Sequence, residues 1–110
     1  MALDITERDG ATIVALSGDV DLETSPAVRQ GLIECIEKHD NVIVDMSQVS
    51  YIDSSGVASL VEAFQLSRKK GSSFALAHVS AAALRVLNLA RLDKVFSIFE
   101  SIEDAITAGV

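Results

Sequence analysis

Between Leu3 and Arg8 the chain alternates apolar and polar residues, the period-two signature of a strand. Asp9-Gly10 is a hairpin signal, and Ala11 to Leu16 is the returning strand, ended by Ser17-Gly18. The pattern then changes to a helical period. Val28, Leu32, Cys35 and Ile36 fall on one face of a helix that starts at Thr24-Ser25-Pro26, with Ser25 as cap and Pro26 in the first position. That helix ends near Lys38-His39-Asp40. The β-branched run Val42, Ile43, Val44 predicts a strand buried inside a sheet, followed by a short loop. A second helix presents Val57, Leu60, Val61 and Phe64 along one stripe. Arg68-Lys69-Lys70-Gly71 stops it, with cations over the carboxyl end and a glycine beyond.

Phe74 to Ala77 reads as another short buried strand. Ser80 caps a third helix with Leu84 and Leu87 on its core face, ending near Asn88 or Arg91. Phe96 to Phe99 predicts a short edge strand. Ser101-Ile102-Glu103-Asp104 has the form of a capping box and opens a last helix through Ala108. The order ββαβαβα(β)α implies one α/β domain over residues 1–110, a mixed β-sheet packed with about four helices.

The chemistry concentrates where the central strand meets the second helix, at Asp53-Ser54-Ser55-Gly56. Asp53 or either serine can cap the helix by accepting from its free N–H groups. By local pattern alone, capping is a sufficient reason for all three. A hydroxyl there also faces the positive end of the helix dipole, so an anion made on it would be held. Gly56, lacking a side chain, leaves room for a partner to approach the backbone.

Composition narrows the partners. The chain of 110 residues carries 16 acidic and 9 basic residues, a formal net charge of −7, which opposes nucleic acid and anionic lipid. A protein with a basic patch is the natural complement. No apolar run is long enough to insert into a membrane. MALDITERDG has no apolar signal-peptide core, and the single Cys35 suits a reducing compartment, so the expected location is the cytoplasm.

Other candidate sites carry less. Asp19-Val20-Asp21-Leu22-Glu23 is acidic, but Thr24 and Gln30 stand where a calcium loop needs glycine and glutamate, so it reads as a solvated rim. Cys35 and His39 are four apart, yet two groups do not complete a zinc site, and Cys35 lies on the apolar stripe. Ser67 and Lys70 have the Ser-x-x-Lys spacing of some acyl enzymes without their companion motifs. His78, at a strand ending, reads as structural. With no phosphate loop, base or metal constellation, neither an enzyme nor a bound cofactor is expected.

From Ile5 to Ala108 the chain resembles the anti-sigma factor antagonists, single-domain members of the STAS group (sulfate transporter and anti-sigma antagonist). The resemblance rests on the apolar strand before Asp53-Ser54-Ser55-Gly56, the apolar helix after it, and Ser17-Gly18-Asp19-Val20-Asp21 upstream. The chain departs from many relatives in continuing Gly56-Val57-Ala58 rather than Gly-Leu-Gly. The resemblance implies a STAS fold and a protein-binding switch rather than an enzyme. It implies phosphorylation of Ser54, with Ser55 as a secondary position, by an anti-sigma factor that has serine kinase activity. A separate protein phosphatase would remove the phosphate. Asp21, Asp53, Ser54, Ser55 and Gly56 become the expected partner contacts. A STAS subunit of a transport complex, such as a lipid-transport ATPase, would use the same surface as a constitutive docking face.

Overall fold

Asp9 and Gly10 both take positive φ, 51° and 84°, so the two-residue turn matches the twist of the strands it joins. It links β1 (Ala2–Arg8) to β2 (Ala11–Val20) as an antiparallel hairpin with Arg8 opposite Ala11. A computed structural model describes residues 2–109. The sheet has five strands in the order β1-β2-β3-β4-β5. β3 (Asn41–Ile52), β4 (Ser73–Ala77) and β5 (Ser97–Phe99) add in parallel to β2, so the sheet is mixed, as expected.

The four helices divide between the two faces of this sheet. α1 (Ser25–Lys38), α2 (Ser54–Lys70) and α3 (Ala81–Leu89) cover one face, where Leu32, Ile36, Leu60 and Leu87 meet Val14, Val44, Met46 and Leu76. α4 (Ile102–Thr107) covers part of the other, over Ala11, Ile13, Ile43 and Ala77. Strands buried on both faces need apolar side chains at every position, which is why Val42, Ile43 and Val44 form an unbroken run. Phe64, Phe74 and Phe96 close the end of the larger core, with Phe64 and Phe96 edge to face at 5.4 Å.

Several element boundaries differ from the expectation. β2 does not stop at Ser17-Gly18 but runs on to Val20, with Gly18 at φ +81° beside a shift in register. The segment after Val44 is no loop. β3 continues to Ile52, and against β2 it carries one extra residue between Asp45 and Gln48 and another between Val49 and Tyr51. Each bulge resets the alternation, so Met46, Val49 and Ile52 are all buried at a spacing of three that period-two reading cannot detect.

Ser25 is not the cap of α1. It is the first helical residue and is buried, while Thr24 takes the cap position without a side-chain cap bond. On α3 the core positions are Ala83 and Leu87, and Leu84 is only half-buried. On α2 the stripe expected at Val57, Val61 and Phe64 flanks the interface, and the fully buried line is Gly56, Ser59, Leu60, Ala63 and Ser67. Small residues along that line let α2 approach α1 closely. The Ser59 hydroxyl donates to the Ser25 carbonyl of α1 at 3.3 Å, and Arg29 donates to Glu62 through Nε and Nη2 at 2.6 and 2.9 Å.

The far ends of α1 and α2 are tied by Lys70. Its ammonium donates to the carbonyls of Ile36, His39 and Glu37 at 2.6, 3.1 and 3.3 Å, satisfying acceptors that the end of α1 leaves open. Ser67 instead donates to the Ser72 carbonyl at 3.0 Å, so the Ser-x-x-Lys pair is divided between two structural tasks. Cys35 is buried on α1, where desolvation pushes its thiol up. His78 turns the chain after β4 at φ 51° and donates its N–H to the Phe99 carbonyl at 3.0 Å.

Candidate functional site

β3 delivers Asp53 directly to the start of α2. The Asp53 N–H donates to the Val20 carbonyl at 3.2 Å, so the cap is anchored to the end of the neighbouring strand. The Asp53 Oδ1 then accepts from the backbone N–H of Ser55 at 3.0 Å, that of Gly56 at 3.1 Å, and the Ser55 hydroxyl at 2.6 Å. Asp53, rather than either serine, is therefore the cap of α2. The Ser55 hydroxyl bond, and then the Gly56 amide, hold the Asp53 carboxyl below the usual aspartate range.

This geometry separates the two serines. Ser54 is the first residue of α2 and is exposed, and its hydroxyl makes no hydrogen bond among the described residues. Ser55 is half-buried, and its hydroxyl is engaged by Asp53. The hydroxyl open to an incoming group is Ser54.

Two expectations about the surroundings need correction. An anion on Ser54 does not meet a set of free helix N–H donors, because Asp53 already occupies those of Ser55 and Gly56. Gly56 does not leave room for a partner. It is buried, and a Cβ there would stand 2.6 Å from the Val20 carbonyl oxygen and 2.7 Å from the Ile52 side chain. The missing side chain lets α2 sit directly on the ends of β2 and β3, which sets where Ser54 emerges.

Asp21 has a structural task of its own. Its Oδ1 accepts from the Glu23 and Thr24 N–H groups at 3.0 and 3.2 Å, and its own N–H donates to the Thr24 hydroxyl at 2.9 Å. These bonds shape the turn into α1 and push Leu22 outward, 75% exposed. The bond from the Asp53 N–H to the Val20 carbonyl, two residues before Leu22, sets this acidic turn beside the start of α2. Leu22 and Tyr51 (52% exposed) are the apolar residues near this site that sequence reading missed. An apolar residue set between Asp21 and Glu23 was the available signal for Leu22.

Two outcomes follow from this geometry. Gly56→Ala should destabilise the domain by about 1 to 3 kcal/mol, because backbone must shift to admit the methyl group. That loss is net of the ~1 kcal/mol that alanine gains over glycine in an open helix, and is measurable by urea unfolding. The lowered Asp53 carboxyl ties stability to acid. Its contribution is complete above the ordinary aspartate value and disappears as pH falls from there through the folded value. Asp53→Asn should remove that part of the acid dependence, read from melting temperatures across an acid series.

An exposed hydroxyl beside a fixed carboxylate, with exposed Leu22 and Tyr51 at the adjoining ends of β2 and β3 in a five-stranded sheet, defines a small interaction domain that presents a surface. Among the described residues no three His, Cys, Asp or Glu side chains come together to hold a metal, and no helix is long and apolar enough to cross a membrane. The STAS domain family model matches residues 2–105, and the chain belongs to that family. It is 27% identical over 109 residues to the anti-sigma F factor antagonist of Paenibacillus polymyxa, covering 97% of this chain and 93% of the relative. A solved anti-sigma factor antagonist from Mycobacterium paratuberculosis superposes with a TM-score of 0.88 at 27% identity, covering 97% and 92% of the two chains. The Bacillus cell fate determinant SpoIIAA, solved in its phosphorylated form, shares the fold at a TM-score of 0.75 and 18% identity, covering 99% and 100%.

Proposed function

We propose that this chain is an anti-sigma factor antagonist controlled by phosphorylation of Ser54. Unphosphorylated, it binds an anti-sigma factor in the bacterial cytoplasm and so releases a sigma factor. The anti-sigma factor doubles as the kinase, passing the γ-phosphoryl group of ATP to the Ser54 oxygen while ADP leaves and the hydroxyl proton goes to a base of the kinase. A protein phosphatase returns the serine by hydrolysis. The observation that carries this reading is the contrast between an exposed Ser54 hydroxyl and a Ser55 hydroxyl held at 2.6 Å by Asp53.

The phosphate adds about −1.5 to −2 charges at neutral pH. It arrives beside the Asp53 carboxylate and the acidic turn Asp19 to Glu23, where Asp53 already takes the Ser55 and Gly56 amides. A packed protein interface on this face would then bear uncompensated negative charge, and binding weakens through repulsion and desolvation. The relatives named as anti-sigma factor antagonists support the same role.

Affinity capture of the native partner, with mass spectrometry of both proteins, tests the reading. The expected capture is a kinase-bearing anti-sigma factor with unphosphorylated chain, and phosphate on Ser54 in the unbound pool. Recovery of permease and ATPase subunits, with Ser54 never modified, would favour a constitutive docking subunit instead. With ATP and magnesium alone, the purified chain is expected to show neither turnover nor self-labelling.

A further inference from the structure

The two most exposed large apolar residues among those described sit in opposite charge settings. Leu22, 75% exposed, lies in Asp19-Val20-Asp21-Leu22-Glu23, which holds three acids and no base. Leu89, 81% exposed, lies on the outer face of α3, in a segment whose charges are Arg85, Arg91 and Lys94 against Asp93 alone. The stretch is net positive in a chain of net charge −7. Among the described residues, none of these three cations and none of the three acids takes part in an ion pair.

Shape agrees with charge. Ala81, Leu84, Arg85, Asn88 and Leu89 line an open depression along α3, and helical spacing puts Arg85 and Leu89 one turn apart on the same face. The Leu22 turn is its counterpart, a projecting apolar side chain between Asp21 and Glu23, braced by the Asp21–Thr24 bonds. We propose that the α3 face is a docking surface for a second copy of this chain, which inserts Leu22 there with its acids against Arg85, Arg91 and Lys94. The contact is heterologous, joining two different patches. Repulsion between two molecules of net charge −7 opposes the local attraction, so the association is weak, with a Kd of about 0.1 to 1 mM. Because the Asp53 N–H is bonded to the Val20 carbonyl at the start of the Leu22 turn, the contact lies beside the end of α2 that carries Ser54.

Sedimentation equilibrium of the full unphosphorylated chain, from about 10 µM to about 1 mM, tests this. The average mass should rise with concentration. Two double variants break one patch each: Leu22→Ser with Glu23→Lys, and Arg85→Glu with Leu89→Ser. All four positions are exposed, and circular dichroism checks that both variants fold. Each alone should lose at least about tenfold in affinity, since a removed apolar anchor and a reversed charge together exceed ~1.4 kcal/mol per decade. Mixed in equal amounts, they should pair again, because one variant keeps the acidic turn and the other keeps the α3 face. A wild type that stays monomeric to the highest concentration overturns the proposal. So do variants that associate within twofold of wild type, or a folded mixture that fails to pair. As a second readout, dilution of the wild type should shift the amide resonances of Leu22, Glu23, Arg85 and Leu89 together; shifts confined elsewhere would also overturn it.

Discussion

Ser54→Ala should reduce labelling by the cognate kinase to background while leaving the fold nearly intact. Ser54 is not the cap of α2, and its hydroxyl bonds to nothing among the described residues, so removing it leaves no buried group unsatisfied. Ser55→Ala should keep most of the labelling. It removes a 2.6 Å bond to Asp53, so its cost belongs to the cap and appears in stability. Ser54→Asp should weaken anti-sigma binding, though less than phosphate does, because one charge replaces a near-dianion with three acceptor oxygens. Phosphopeptide mapping of the wild type beside both alanine variants, with binding measured for Ser54→Asp, decides the matter. Phosphate on Ser55 in the wild type would move the acceptor and keep the switch. No phosphate on either serine, together with unchanged binding by Ser54→Asp, would leave the domain as a constitutive docking module.

Leu60→Ala should cost about 2 to 5 kcal/mol of folding free energy. Leu60 is fully buried, at the point where α2 crosses the face of the sheet covered by α1 and α3. Its loss leaves a cavity that the flanking small residues Ser59 and Ala63 cannot fill. Against the usual total of about 5 to 15 kcal/mol, that is enough to populate the unfolded state visibly. The urea midpoint should fall with the slope unchanged, and a loss under about 0.5 kcal/mol would mean that the buried face of α2 is misassigned. Val57→Ala, at a half-buried flank of the same helix, should cost clearly less.

The fold class was legible because its determinants are local. Turn chemistry at Asp9-Gly10, the unbroken run Val42 to Val44, the stop at Arg68 to Gly71 and the cap at Ser80 each depend on neighbours in sequence. The site was legible as a motif for the same reason. Asp53-Ser54-Ser55-Gly56 announces a helix start whatever surrounds it.

What each of its residues does was settled by groups far away in sequence. Gly56 is shaped by the Val20 carbonyl, and Asp53 is fixed by that same atom, more than thirty residues earlier. Whether Ser54 or Ser55 is the open hydroxyl depended on which one the anchored carboxylate could reach. The bulges of β3 hid its last eight residues, because an inserted residue shifts the alternation and only pairing with β2 reveals it. Composition fixed the charge of −7, while only the folded surface shows that Leu22, between Asp21 and Glu23, and Leu89, one turn from Arg85, are left exposed. Periodicity records which face of an element is apolar; what that face meets is a long-range contact, and no local pattern encodes it.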